Sequence, residues 1–402
     1  VTRELISVAE ARERVLAAAR PLPAEDVPLA EALGRVLAEE VTSPHDIPPF
    51  DASAMDGYAV VAGPAGELAI VGESRAGRPA ERTLSAGEAI AISTGAVVPA
   101  GADAVVPVER VSARDGRVEV PDTTAGANVR RAGEDVRGGE PVLRPGSELG
   151  PAELAVLASV GREHVSCGAR PRVAVLVTGD ELVPPGAPLG PGQIRDSNAT
   201  ALAAQATRAG AHVELAEHVR DEREATIDAL RRALAAADVV CVSGGVSVGE
   251  HDHVKAALAA LGAEERFWGI ALKPGKPTWF GTAGEALAFG LPGNPVSAMV
   301  TFHLLARPAL RALAGADPSD VRIQATLDAP VRLSAAREQA IRCRLAARDD
   351  GWHVEPTKAQ GSHVLTSMLG AGALALLPAG EGTLEAGTRV HAELLLGGTL
   401  SS

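Results

Sequence analysis

The stretch 238-DVVCVSGGVSVGEHD-252 decides how the middle of the chain folds. Asp238 to Val242 is a short apolar run with valines and a cysteine, the composition of a strand buried in a parallel sheet. It ends at Ser243-Gly244-Gly245, where two glycines leave the backbone without Cβ atoms. Val246 to Glu250 then leads to Asp252, beyond which Val254, Ala257, Leu258 and Leu261 recur at helical spacing and stop at Gly262. A strand, a glycine turn, a polar loop and a helix N-terminus suit an anionic ligand, because bare N–H groups and the helix dipole both favour phosphate. The same residues also describe an ordinary tight strand-to-helix turn that uses glycine for positive φ.

The flanking sequence repeats the alternation. Upstream, Val173–Val177 is a buried strand ending in TGDEL, DSNATALAAQATRAGA is a helix closed by Gly210, HVELAEHV is a strand, and ATIDALRRALAAA is a helix. Downstream, ERFWGIALKPGKPTWFG and ALAFGLPGNPVSAMV read as strand–loop–strand–loop–helix. This alternation predicts a doubly wound α/β domain over 170–318, with ligand at the carboxyl ends of the strands.

Outside that region the texture changes. Ser7-x-x-Glu10 predicts a capping box for a helix through Val15 to Ala19, and Leu29, Leu33, Val36 and Leu37 predict a second helix from Pro28. IPPFDASAMDGYAV (47–60) reads as a Pro-rich approach to an irregular loop. ELAIV, EAIAIS, ADAVVPV and RVEV then give a β module, before PAELAVLASVG returns to helix between Pro151 and Gly161. The expected division is a discontinuous N-terminal helical and linker domain (1–46 and 136–169), an inserted β domain (47–135), the α/β domain (170–318) and a C-terminal β-barrel-like domain (319–402).

The 402-residue chain is long enough for roughly two to four domains. With only 2% aromatic residues, its cores must rest on Ala, Val and Leu. A net charge of −13 argues against nucleic acid and anionic membrane as partners, since both reward a positive surface. Cys167, Cys241 and Cys343 lie far apart without CxxC spacing and read as buried thiols of a reducing compartment. The N-terminal stretch has no apolar signal core, and no apolar run reaches the ~18 residues of a spanning helix, so a cytoplasmic location is expected.

Four groups of loops carry the polarity: TGDEL (Asp180, Glu181), RDSN (Asp196, Ser197, Asn198), SGGVSVGEHD (Ser243, Gly244, Gly245, Ser247, Glu250, Asp252), and LKPGKP (Lys273, Lys276) with LPGNP (Pro292, Gly293, Asn294, Pro295). Carboxylates beside lysines and bare glycine backbone suit hydrated Mg²⁺ with phosphates: Mg²⁺ takes one or two carboxylates and keeps its waters, and lysine meets an oxyanion as a point charge. Each loop also has a plain reading. Asp196, Ser197 or Asn198 can cap the next helix, Asn294 and Pro295 fit its counterpart as N-cap and first residue, and either lysine can be a solvated charge. His251 and His253 flank Asp252 but lack the spacing of a zinc site. No GxSxG elbow, Walker loop or GxGxxG is present.

The segments PPFDASAMDGYAV, STGAVVPAGADAVVPVE, NVRRAGEDV, TGDELV, IRDSNA, SGGVSVGEHD, LKPGKP, GLPGNPVSA and GSHVLTSM, in this order, resemble the molybdopterin molybdenumtransferase family (MoeA and the E domain of gephyrin) over nearly the whole length. The resemblance implies four domains in an elongated homodimer with sites shared between subunits. It also implies a transferase of molybdenum cofactor biosynthesis, in which molybdate enters adenylyl-molybdopterin with Mg²⁺ and AMP is released. Carried over by position, it implies roles for Asp56, Thr94, Arg130 and Asp135 in the N-terminal part. In the α/β domain it implies roles for the acids Glu181, Asp221 and Asp252, with Glu181 and Asp252 serving the metal, and for Lys273, Lys276, Pro292 and Pro295. Ser362 is the match in the C-terminal domain. A molybdopterin adenylyltransferase would use only the α/β region, and a non-enzymatic scaffold would have no need of these charged residues. Tungstate is nearly equal to molybdate in size and charge.

Overall fold

The computed structural model describes residues 4–246, 253–357 and 359–395, with the backbone of Leu400–Ser401. Its α-helices are α1 (Val8–Ala18), α2 (Pro151–Ser159), α3 (Asn198–Arg208), α4 (Arg223–Ala236), α5 (His253–Ala260), α6 (Pro295–Thr301) and α7 (Arg307–Leu313), the last two joined by a π-helical turn at Phe302–Ala306.

The central sheet has six strands in the order His212–Val219, Arg172–Thr178, Val239–Ser243, Ala286–Leu291, Trp279–Ala283, Glu264–Trp268; the first four are parallel and the last two antiparallel. Both faces are covered, which is why these strands read as unbroken apolar runs. Val173, Val175 and Val177 face α3, α6 and α7, while Ala174, Leu176, Val240 and Val242 face α4 and α5. Each of these valines and Leu176, fully buried, contributes on the order of 1.5–3 kcal/mol.

Helix α1 starts as its sequence predicts, with Ser7 Oγ accepting from Glu10 N at 3.1 Å. The reciprocal half of the capping box does not form, because the Glu10 carboxylate pairs with Arg14 at 2.6 Å. Expected with residues 136–169, α1 packs on the α/β domain: Val8, Ala11 and Val15 join the core of α6 and α7, and Ile6 bridges to Ile270.

The helix expected from Pro28 does not exist. Ala24–Pro28 is a strand paired antiparallel with His164–Gly168, Leu29–Glu31 is a 3₁₀ turn, and Val36 and Leu37 make bridges to Glu148 and Cys167. Leu33, expected on the buried face, is 58% exposed. The helical spacing is outweighed by strand partners more than a hundred residues away.

The inserted module is a six-stranded sheet in which Gly57–Val60, inside the stretch read as an irregular loop, is a central strand between Glu88–Ile92 and Ala104–Pro107. In the C-terminal region Glu338–Arg348, Gly351–Pro356, Arg322–Leu327, Arg389–Leu394 and Ala373–Leu377 pair in sequence and close back on the first strand, a five-stranded barrel. Arg12 ties α1 to it, bonding Glu393 at 2.6 Å through two nitrogens and Asp320 at 3.0 Å.

Candidate active site

From the strand Arg172–Thr178 the chain crosses first to one neighbour (His212–Val219) and then to the other (Val239–Ser243), so the topology switches between Thr178 and Ser243. Open α/β sheets bind ligands at such a point. Here Gly244 and Gly245 have φ of +96° and +63°, and a Cβ on Gly244 would lie 2.8 Å from the Thr178 carbonyl and hydroxyl oxygens. One on Gly245 would meet Val254 at 2.6 Å. Only glycine fits at either position, and the bare backbone lies open beside Gly293, whose own Cβ would sit 3.7 Å from Gly244 Cα.

The side chains around this turn form its frame. Ser243 is fully buried and its hydroxyl donates to Pro292 O at 3.0 Å. Asn198 is buried and donates to Ser243 Oγ at 2.9 Å and to Gly293 O at 2.8 Å, fixing the two glycine loops to each other. Asp196 accepts from Ala199 N at 3.0 Å and caps α3, while Ser197 at the N-cap position makes no side-chain cap bond. Ser243, Asp196 and the Asn198 amide nitrogen, all expected at a ligand, make these hydrogen bonds within the protein, while the buried Asn198 Oδ1 has no partner among the described residues. Asn294 and Pro295 take the N-cap and first position of α6, and the amide of Val296 donates to Ser362 O at 3.2 Å. That bond brings the C-terminal domain's GSHVLTSM loop onto the helix N-terminus.

Acidic groups gather at the neighbouring strand ends. Asp221 N donates to Asp180 Oδ1 at 3.2 Å. Burial, with the charges of Asp180 and Glu181, pushes the Asp221 carboxyl above its ordinary value despite hydrogen bonds from Asp180 and Thr178. Such crowding of hard oxygen donors is what a cation relieves, so Glu181 and Asp221 fit Mg²⁺ by donor type. Ser247, His251 and Asp252 lie outside the described residues.

Among the described residues, the cluster close enough to chelate an ion is elsewhere: His303, Asp320 and Glu393 offer atoms within 4.8 Å of one another. Arg12, Arg307 and Arg322 already pair with its two carboxylates, which makes it an ion-pair junction between helices and barrel. Burial first, then the charge of Arg307, pushes His303 down to about 4, so its imidazole is neutral.

Lys273 and Lys276 are exposed and have no ion-pair partner among the described residues. Their loop is tied to the barrel through Leu272↔Glu338 and Lys273↔Gln339. Lys255, another of the four lysines, sits 5.1 Å over the Trp268 ring.

A second polar group lies in the inserted module. Asp56 Oδ1 accepts from Thr94 N at 2.6 Å and from Thr94 Oγ1 at 3.0 Å, which lowers its pKa. Arg130 lies on the same surface through Arg130↔Ala52 pairing, while Asp135 sits at the next turn, its amide on Ile47 O at 3.0 Å. All four residues are exposed. Their hydrogen bonds close within the module and its stem, and none reaches the glycine turn.

Sequence reasoning missed Arg342. It is 1% exposed, has no carboxylate partner among the described residues, and bonds Ser367 Oγ at 3.2 Å and the carbonyls of Ala359 and Gly361 at 3.3 Å, bracing the loop that carries Ser362. Burial lowers its pKa to about 10. Its strand reads as ordinary β sequence, so no local signal marks it.

Comparison with known proteins agrees along the whole chain. Residues 6–161 match the MoeA N-terminal region (domain I and II), 174–312 a probable molybdopterin binding domain, and 324–395 the MoeA C-terminal region (domain IV). The chain is 38% identical over 387 residues to the molybdopterin molybdenumtransferase of Haemophilus influenzae, covering 93% of this chain and 94% of that one. It is 32% identical over 407 residues to that of Bacillus subtilis, covering 98% and 95%. Among solved structures it is similar to a molybdopterin biosynthesis MoeA protein from Pyrococcus horikoshii, with 34% identity, a TM-score of 0.81, and coverage of 97% of this chain and 99% of that one.

Proposed function

The chain belongs to the MoeA family, the molybdopterin molybdenumtransferases, and from that premise we propose how its own residues carry out the insertion of molybdenum in molybdenum cofactor biosynthesis. The substrate is adenylyl-molybdopterin, whose phosphates lie along the N–H groups of Gly245 and Gly293, since preorganised donors stabilise oxyanion charge without reorganising. The Gly244 N–H donates to Leu291 O at 3.1 Å and holds the turn against the next strand. The observation that carries this reading is the pair of glycine loops locked by Asn198 and Ser243 at the topological switch. Lys273 and Lys276, without an ion-pair partner among the described residues, bring two ammonium groups for molybdate, the second substrate. Glu181 and Asp221 hold Mg²⁺, with Asp252 assigned beside them by family position. When bound, that ion supplies charge stabilisation to the phosphate linkage from which AMP departs. Asp56, Thr94, Arg130 and Asp135 complete the site from a second subunit of a homodimer, a reading supported by the family resemblance and by their hydrogen bonds among the described residues, which stay within the inserted module and its stem. A reducing, cytoplasmic setting suits the three buried free cysteines.

The lysine role is tested by titrating molybdate and adenylyl-molybdopterin separately. Lys276→Gln should raise the molybdate needed for half-maximal insertion about tenfold while leaving the pterin affinity unchanged. Equal losses for both substrates would make the lysines a general phosphate clamp.

A further inference from the structure

A pocket of about 200 Å³ lies where α3 and α7 end against the N-terminal domain, and its wall holds five arginines, Arg35, Arg170, Arg208, Arg307 and Arg311, against one acid, Glu148. It is at the far end of the sheet from the candidate active site. Arg170 and Arg208 precede the strands Arg172–Thr178 and His212–Val219, whose carboxyl ends carry Asp180 and Asp221. Seven or eight residues of strand separate the two places, roughly 20 Å.

Three of the guanidinium groups have acidic partners: Arg35 pairs with Glu25, Arg311 with Glu148, and Arg307 with Asp320. Arg170 and Arg208 are exposed and have none among the described residues. Complementing a helix C-terminus accounts for Arg208 and Arg311, each in a last turn. It does not account for Arg170, nor for Arg307, which is 9% exposed and whose buried Nε–H lacks an acceptor. Burial, with the Arg311 charge beside it, holds Arg307 below its ordinary pKa; the wall's uncompensated positive charge is that of Arg170 and Arg208. The walls are held close: a Cβ on Gly168 would lie 2.2 Å from Ala314 O.

We propose that this pocket binds a doubly charged tetrahedral oxyanion, of which inorganic phosphate is the simplest, at the junction of the N-terminal and α/β domains. The size selects the class, since drug-sized and cofactor ligands fill pockets of roughly 300–1,000 Å³. The charge also agrees: three pairs neutralised leave two guanidinium groups for two negative charges. Arginine forks suit this geometry better than point charges.

The test is the melting temperature of the full chain titrated with phosphate, then sulfate, against chloride at equal ionic strength and pH. The parent should show a saturable rise with either dianion. Arg170→Gln/Arg208→Gln should need about tenfold more dianion for the same rise, and Arg170→Gln alone should show part of that loss with α3's own end intact. Lys273→Gln/Lys276→Gln should keep the full response. The proposal is overturned if the parent responds to phosphate no more than to chloride, if the arginine variants respond like the parent, or if the lysine variant is the one that loses the response.

Discussion

Asp221 shows how one side chain can serve chemistry at the expense of the fold. Its folded pKa lies above the ordinary 3.8. The stability it contributes is therefore present below that pH and is lost as pH rises through the raised folded value, so at neutral pH the ionised carboxylate is a cost. Asp221→Asn should melt above the parent at pH 7 without Mg²⁺ and below pH 4 should melt with it. The same variant should need about 10–100-fold more Mg²⁺ for insertion. A variant that is fully active at unchanged Mg²⁺ would remove Asp221 from the metal's support. Asp56 has the opposite sign: the Thr94 bonds lower its pKa, so what it adds is present above 3.8 and fades as pH falls through the folded value.

At the scale of an element, the loop from Thr357 to Met368 depends on a strand rather than on its own sequence. Arg342 reaches from the barrel to hold two of the loop's carbonyls and Ser367, and Ser362 O then takes the Val296 amide of α6. Arg342→Met leaves acceptors unpaired, which should lower stability by about 1–3 kcal/mol, partly offset by losing a desolvated charge. The discriminating readout is hydrogen exchange. The Val296 amide should lose protection in the variant while the amides of Ala373–Leu377 keep theirs. Equal loss at both would mean that Arg342 supports the whole barrel and has no special hold on the loop.

Across the whole molecule, three pieces distant in sequence meet at the buried pairs of Arg12, Arg307, Arg322, Asp320 and Glu393. Burial by itself would raise the Glu393 carboxyl, yet Arg12 and Arg322 hold it below its ordinary value. Without Arg12, Glu393 keeps Arg322 and Asp320 keeps Arg307, so Arg12→Ala should destabilise by less than the about 3–5 kcal/mol of a stranded buried charge while loosening α1 from the barrel, seen as a lowered transition in calorimetry. The proposed sharing of the active site between two subunits belongs to this scale too. Asp56→Ala chains and Lys276→Gln chains, each impaired alone, should recover about half the parent's activity per dimer when co-assembled as heterodimers, one site of the two being intact. If forced heterodimers stay as inactive as the parents, each chain builds its own site.

The sequence by itself determined every element whose cause is local. The strands of the α/β sheet are legible because both faces are buried. Helix ends are legible because Gly161, Gly210 and Gly262 take positive φ. The glycine turn is legible because no other residue fits beside Thr178. Helix α1 was readable as a helix, but its docking on α6 and α7 was not. The stretch Pro28–Leu37 carries helical spacing, yet partners at Glu148 and 164–168 claim it as bridges and strand. Tertiary structure alone decided that Asn198 and Ser243 frame the site, that Ser362 caps α6, and that Arg342 braces its loop. Each of these is a hydrogen bond between groups 17 to 95 residues apart, and no periodicity or propensity in a single chain segment encodes such a partner.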